Sequence, residues 1–277
     1  MAAQSRTTDR GQSAIAAAET VVVFVLGLAA VLFLGLPVFA IVERAIERTD
    51  LLDVISSSTV TEALRISLVT TSISLGLVIV FGTPLAYVLA RYRFPGHALV
   101  DTLVDLPIVL PPAVGGLGLL MAFGRRGILG GWLDDVGVEL AFTTTAVVMA
   151  QTFVASPFYI RSAKAGFEAV DRDLEHVAYT LGSSRSGAFF RVAIPAAMPS
   201  LLAGAVMAWA RALGEFGATI MFAGSFAGRT QTVPLAVYRS LETGIDVPLA
   251  LSTLLVAISF AILLTFRLLM KRAALTL

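Results

Sequence analysis

Apolar residues in this chain fall into long runs, and the charged residues between them fall into short clusters. Residues 21–42 carry no charge, and further runs cover 66–90, 100–123, 141–160, 194–222 and 247–266. The runs are 20 to 29 residues long, enough for an α-helix to cross the hydrocarbon core of a bilayer. The pattern predicts six membrane-spanning helices. Proline and glycine break some of them. The third run holds Pro107, Pro111, Pro112, Gly115, Gly116 and Gly118. It reads either as a kinked packing helix or as a broken helix lining a pathway, because irregular backbone at membrane depth is tolerated where it faces protein or water.

One stretch departs from the apolar pattern. Residues 167–199 are charged and amphipathic, and they are capped like a soluble helix pair. Asp171 suits an N-cap, with Asp173 and Glu175 at the positive end of the helix dipole. Leu174, Val177, Ala178 and Leu181 fall at i, i+3, i+4 and i+7, one apolar stripe, and Gly182 suits the C′ position. A second short helix is expected from about Ser184 to just before Pro195. A helix of about ten residues is marginal alone, so the stripe must pack on something. Either it lies on the bundle's own surface or it meets a partner.

Composition narrows the class. Of 277 residues, 57% are hydrophobic and 14% charged, with no cysteine and a net charge of +1. Soluble domains carry about 25% charged residues, so the expectation is an all-α integral membrane protein with one transmembrane domain. Residues 1–18 form a polar N-terminal segment, 19–272 the membrane domain with its insert at 164–194, and 273–277 a tail. The run 21–42 is too long for a signal-peptide core and is read as a retained helix.

Cations set the orientation. With the N-terminus inside, inner segments hold Arg6, Arg10, Arg91, Arg93, Arg161, Lys164, Arg172, Arg185, Arg191, Arg267, Lys271 and Arg272. Outer segments hold only Arg44, Arg48, Arg125, Arg126, Arg229 and Arg239. Both termini and the insert are therefore expected in the cytoplasm of a cell, with the 224–244 connector outside. In that connector, Val233-Pro234 opens a candidate short helix that ends before Gly244.

Two charges stand inside the fifth run. Arg211 and Glu215 are four residues apart, on one helix face, and each should face protein or water rather than lipid. They read either as a structural ion pair or as charges along an anion pathway, with Gly214, Gly217 and Gly224 allowing a bend. His97 and His176 both fall at cytoplasmic edges and are too far apart in sequence to suggest a metal site without further ligands. The only lysines, Lys164 and Lys271, lie outside any Gly-x-x-x-x-Gly-Lys-Ser/Thr pattern, so the chain has no phosphate-binding loop and no ATPase site is expected.

The insert carries a resemblance. Glu175-His176-Val177-Ala178-Tyr179-Thr180-Leu181-Gly182, nine residues, then Val192-Ala193-Ile194-Pro195 is similar to the loop of ABC importer membrane subunits. That pattern is Glu-Ala-Ala, three residues, Gly, nine residues, Ile, any residue, Leu-Pro. With Gly182 fixing the register, His176 stands where the family has Glu and Val177 where it has Ala. The run from Ala210 through Gly224, then Gly228-Arg229-Thr230-Gln231-Thr232-Val233-Pro234, resembles the molybdate/tungstate branch. The sulfate/thiosulfate branch shares its Gly-Glu core.

The resemblance implies a permease subunit without catalysis or cofactor of its own. ATP and Mg would reside on the partner subunit. It implies a homodimer, two ATP-binding subunits and an external substrate-binding protein, in the cytoplasmic membrane of a prokaryote. Asp173, Glu175, His176, Val177, Ala178, Gly182 and Pro195 would couple to the ATPase. Arg211, Glu215, Gly217 and Thr219 would line the pathway or gate, and Arg229, Thr230 and Gln231 would dock the binding protein. Alternatives are a sulfate/thiosulfate permease and, in a different class, an ion-coupled secondary transporter for which Glu215 is the candidate coupling group.

Overall fold

A computed structural model describes residues 2–48, 54 and 56–274. Its helices are α1 (Ala2–Arg48), α2 (Ser58–Arg91), α3 (His97–Val109), α4 (Pro112–Phe123), α5 (Gly130–Asp135) and α6 (Thr144–Ala169). They continue as α7 (Arg172–Thr180), α8 (Arg185–Ala188), α9 (Ile194–Leu213), α10 (Gly217–Ala223), α11 (Val233–Ser240) and α12 (Asp246–Ala274). No strand occurs among the described residues. The protein is an all-α, multi-pass integral membrane protein.

Four helical stretches are long and apolar enough to cross a bilayer: Glu19–Glu47, Ser58–Arg91, Arg185–Leu213 and Asp246–Phe266. The third predicted run is two helices, α3 and α4, bent by 118° across Leu110–Pro111. Pro111 and Pro112 supply no N–H to continue α3, while Pro112 suits the first position of a new helix. The run is therefore broken into two helices rather than merely kinked. α6 fills the fourth position and is less apolar because its neighbours cover it. It lies between α2 and α9, and Gln151, Ala155, Tyr159 and Ala163 along it are buried. A helix screened from lipid has no need of an apolar outer surface.

The core where α2, α6 and α9 meet is built from small residues: Ala86, Ala90, Ala155, Ala163, Ala197, Ala208 and Ala212. Such residues let helix backbones approach closely in a membrane, where hydrophobicity alone does not hold helices together. Gly166 and Gly204 of α6 and α9 show how close: a Cβ on Gly166 would lie 2.5 Å from Ser200 Cβ, and one on Gly204 would lie 2.8 Å from Ser162 Cβ. Toward the N-terminal half of α2, Ser74 donates to Val148 O at 3.0 Å and Gln151 Nε2 donates to Thr71 Oγ1 at 3.4 Å. The Ser/Thr-rich start of α2 is thus an interhelical hydrogen-bonding face.

Two expected boundaries differ. The second short helix of the insert is not separate: α8 runs through a π turn, Phe189–Ala193, directly into α9. The Ile194 N–H reaches back to Phe189 O. Pro195 lacks an N–H and would crowd the carbonyl four residues before it, and widening the preceding turn absorbs that conflict. The fifth run also breaks, at Gly214–Phe216, into α9 and α10. α11 forms as expected, with proline in its first turn.

Candidate functional site

α7 stands at the end of the bundle where α2 and α6 terminate and α9 begins. Asp171 caps it, accepting from the Asp173 N–H at 3.0 Å. Its far end is a Schellman closure: Ser183 N–H donates to Ala178 O at 2.9 Å and Gly182 N–H to Tyr179 O at 3.0 Å. Gly182 has φ +85°, the left-handed region that glycine reaches without a Cβ penalty. A helix of nine residues is held at both ends by its own sequence.

The apolar stripe faces away from the bundle. Leu174 is 51% exposed, Val177 55% and Leu181 83%. Ala178 is half-buried, and Asp173, His176, Gly182 and Pro195 are exposed. His176 Nδ1 lies 3.7 Å from Asp173 Oδ1, one helical turn back. Of the two possibilities for the stripe, packing on the chain's own surface is therefore not the one realised.

Glu175 points the other way. It is 5% exposed and accepts a short hydrogen bond from Tyr87 Oη. It also accepts from Arg91 Nε at 2.8 Å and pairs with Arg91 Nη2 at 2.7 Å. Arg91 Nη2 also donates to Val170 O at 3.0 Å. Glu175 is thus turned into the bundle, unlike its neighbours Asp173, His176 and Val177.

The second site element lies at the two helix breaks. Arg211 Nη2 and Glu215 Oε2 are 2.7 Å apart, with the Glu215 side chain 1% exposed. Glu215 Oε1 accepts from the Ala218 N–H at 2.7 Å. Arg211 occupies the last turn of α9, and Glu215 precedes the first turn of α10. Each charge sits at the helix end whose dipole favours it. The pair lies within one broken segment rather than between two neighbouring helices.

α10 packs on α4, so the two breaks meet. A Cβ on Gly116 would lie 2.5 Å from Ala218 O, and one on Gly217 would lie 2.9 Å from Pro112 Cβ. Thr219 is buried, and its Oγ1 has no hydrogen-bond partner among the described residues.

The 224–232 connector corrects one expectation. Thr230 is fully buried and Gln231 only 6% exposed, so neither stands out as a docking surface. Thr230 Oγ1 accepts from the Phe226 N–H at 3.0 Å and donates to Gly224 O at 3.3 Å, and Gln231 Nε2 reaches Ser225 Oγ at 3.4 Å. Both side chains fold the loop onto itself. Arg229 alone of the three is exposed. It borders a cleft of about 320 Å³ together with Glu62, Arg65 and Thr144.

One charged cluster escapes a reading of hydropathy alone. Asp101 and Asp105, in α3, receive Arg161 and Lys164 from α6. Arg161 Nη1 and Lys164 Nζ each lie 2.8 Å from Asp101 Oδ1, and Arg161 also pairs with Asp105. The i,i+4 carboxylates inside an apolar run, with cations three apart at the end of another, were the available signal.

Residues 82–274 match the family model described as "Binding-protein-dependent transport system inner membrane component". The chain is 40% identical over 242 residues to the molybdenum transport system permease protein ModB of Mycobacterium tuberculosis, covering 87% of this chain and 91% of that protein. It is 37% identical over 249 residues to the molybdate/tungstate transport system permease protein WtpB of Pyrococcus abyssi, covering 90% and 94%. Against the sulfate transport system permease protein CysT of Escherichia coli it is 34% identical over 237 residues, covering 85% of each. Among solved structures, a bacterial alginate ABC transporter in complex with its periplasmic protein contains a chain of the same fold. The TM-score is 0.70 at 16% identity, with 91% of this chain and 94% of that one covered. By sequence and by fold, the chain belongs to the family of binding-protein-dependent inner-membrane transport components.

Proposed function

We propose that this chain is the permease subunit of an ATP-driven importer that moves molybdate or tungstate across a prokaryotic cytoplasmic membrane. The observation that carries the substrate is the identity, over nearly the whole chain, with permeases named for molybdenum and for molybdate/tungstate. The sulfate permease is similar over the same length at lower identity, and sulfate/thiosulfate is the second reading.

The cationic bias supports placing both termini and the insert end in the cytoplasm. There α7 meets an ATP-binding subunit. Its stripe of Leu174, Val177 and Leu181 enters the partner, with Ala178 beside it, and Asp173 and His176 flank the contact. Gly182 and Pro195 fix the shape of the insert. The chain has no phosphate-binding loop, so ATP and Mg²⁺ belong to that partner and no covalent chemistry occurs here. Two copies would form the pathway between them, with two ATP-binding subunits beneath.

Closure of the ATP-binding subunits displaces the inserts, and the displacement reaches the junction of α4 and α10. Arg211, Glu215, Gly217 and Thr219 stand at that junction. The ion pair satisfies two charges inside the membrane and leaves the break without a net charge for an anion to cross. At the opposite end, Arg229 offers a cation to the binding protein that delivers the oxyanion.

The substrate test is the partner binding protein, titrated side by side with molybdate, tungstate and sulfate. The reading expects tight binding of the first two and at least about 100-fold weaker binding of sulfate, a difference of nearly 3 kcal/mol. Equal or tighter sulfate binding would replace it with the sulfate reading.

A further inference from the structure

We infer that Glu175 is a positioning residue, an internal rivet that makes α7 and the end of α2 move as one body. The inference rests on the permease reading given above and assigns to one residue the transfer of motion within this chain.

The geometry separates two faces of a nine-residue helix. The stripe of Leu174, Val177 and Leu181 is exposed, while Glu175 is buried. Both of its carboxylate oxygens are occupied from α2: Oε2 by Tyr87 Oη, and Oε1 by Arg91 Nε at 2.8 Å. Its side chain is thus turned to α2 rather than to the exposed face that carries the stripe. The same two α2 residues hold the rest of the insert. Arg91 Nη2 donates to Val170 O at 3.0 Å. The Tyr87 ring stands edge-on to Phe189 at 4.7 Å and to Phe167 at 5.3 Å. Arg172 Nη2 returns to Ala90 O at 3.3 Å. The segments before and after α7 are therefore fastened to the same turn of α2 as α7 itself.

Such a short helix has little rigidity of its own. A push on its exposed face would tilt or unwind it unless the opposite face were held. A buried charge pair, with Arg91 Nε and Nη2 both on Oε1, supplies that hold, because pulling it apart leaves two desolvated charges uncompensated. The load arriving at the stripe is thus delivered to α2, whose buried face packs on α6 in the core.

The test uses the full complex in proteoliposomes, with Glu175→Gln, Arg91→Gln and the double variant. Two quantities are read: affinity for the ATP-binding subunit, and oxyanion moved per ATP hydrolysed. The rivet predicts affinity within about twofold of wild type, since the exposed stripe is untouched. It predicts that oxyanion moved per ATP falls about tenfold in each single variant, the size expected for loss of a charged hydrogen bond. The double variant should be no worse than either single, because both remove one interaction. Tyr87→Phe keeps the ion pair, should fold even if Glu175→Gln does not, and should lose oxyanion moved per ATP in the same direction by less.

Weakened affinity in Glu175→Gln, equal to that caused by stripe substitutions, would make Glu175 a partner contact and overturn the inference. Wild-type oxyanion moved per ATP in Glu175→Gln and Tyr87→Phe would also overturn it. Failure of the wild-type chain to bind any ATP-binding subunit is a different result, and it refutes the permease reading itself.

Discussion

The exposed stripe on α7 gives the sharpest prediction, made with the double variant Val177→Ser/Leu181→Ser. In the chain alone Val177 is 55% exposed and Leu181 83%, so the fold gains little from burying them. Full burial of a Val or Leu side chain contributes about 1.5–3 kcal/mol. The portion still available for docking is about half of that for Val177 and most of it for Leu181, together roughly 2–4 kcal/mol. At 1.4 kcal/mol per decade, the double variant should bind the ATP-binding subunit roughly 30- to 700-fold more weakly.

Its own stability should move by no more than about 0.5 kcal/mol, as for other exposed positions. Phe167→Ala is the control: that ring is fully buried, and its loss should cost about 3–5 kcal/mol. The assay pairs thermal unfolding of the permease in nanodiscs with titration of the purified ATP-binding subunit. Unchanged affinity in the double variant would refute the argument. So would a fall in unfolding temperature matching the Phe167→Ala control, because that would mean the stripe packs on its own bundle.

Three further outcomes follow from the same geometry. Gly116→Val should weaken the α4–α10 junction by at least about 1–3 kcal/mol through overpacking against the Ala218 backbone, read as a lower unfolding temperature, whereas Gly118→Ala, with open space around it, should not. Glu215→Ala leaves Arg211 unpaired in the membrane and should cost about 3–5 kcal/mol; unfolding of a well-expressed variant at the wild-type temperature would contradict the pairing. Thr230→Val removes two hydrogen bonds that fold the connector and should cost about 1–3 kcal/mol, while Arg229→Ala should leave stability unchanged and reduce stimulation of ATP hydrolysis by the loaded binding protein.

Much of this architecture is written in local pattern. The apolar runs mark the spans because the bilayer fixes their length, and Asp171 and Gly182 mark the ends of α7 because capping depends on neighbouring residues alone. Legibility stops where a side chain's meaning depends on a distant segment. Glu175 and Asp173 are both acids near a helix start, yet one is buried and the other exposed, and only the arrival of Tyr87 and Arg91 from α2 separates them. Thr230 and Gln231 look like a polar loop surface, and they are buried because the loop turns back on itself, Thr230 onto the Gly224 carbonyl and the Phe226 N–H and Gln231 onto the Ser225 hydroxyl. Asp101 and Asp105 sit in an apolar run because Arg161 and Lys164 meet them from another helix. The π turn before Pro195 fuses two expected helices, since a proline inside a helix need not end it when the preceding turn can widen.

Inward movement of molybdate or tungstate by this chain, driven by a separate ATP-binding subunit, is the proposal on which the other predictions depend. The most direct test is uptake of labelled molybdate into proteoliposomes holding this chain, the ATP-binding subunit and the binding protein, with sulfate run in parallel. Accumulation is expected only when ATP, the ATP-binding subunit and the binding protein are all present, with molybdate or tungstate far exceeding sulfate. Accumulation driven by a proton or sodium gradient without the ATP-binding subunit would contradict it.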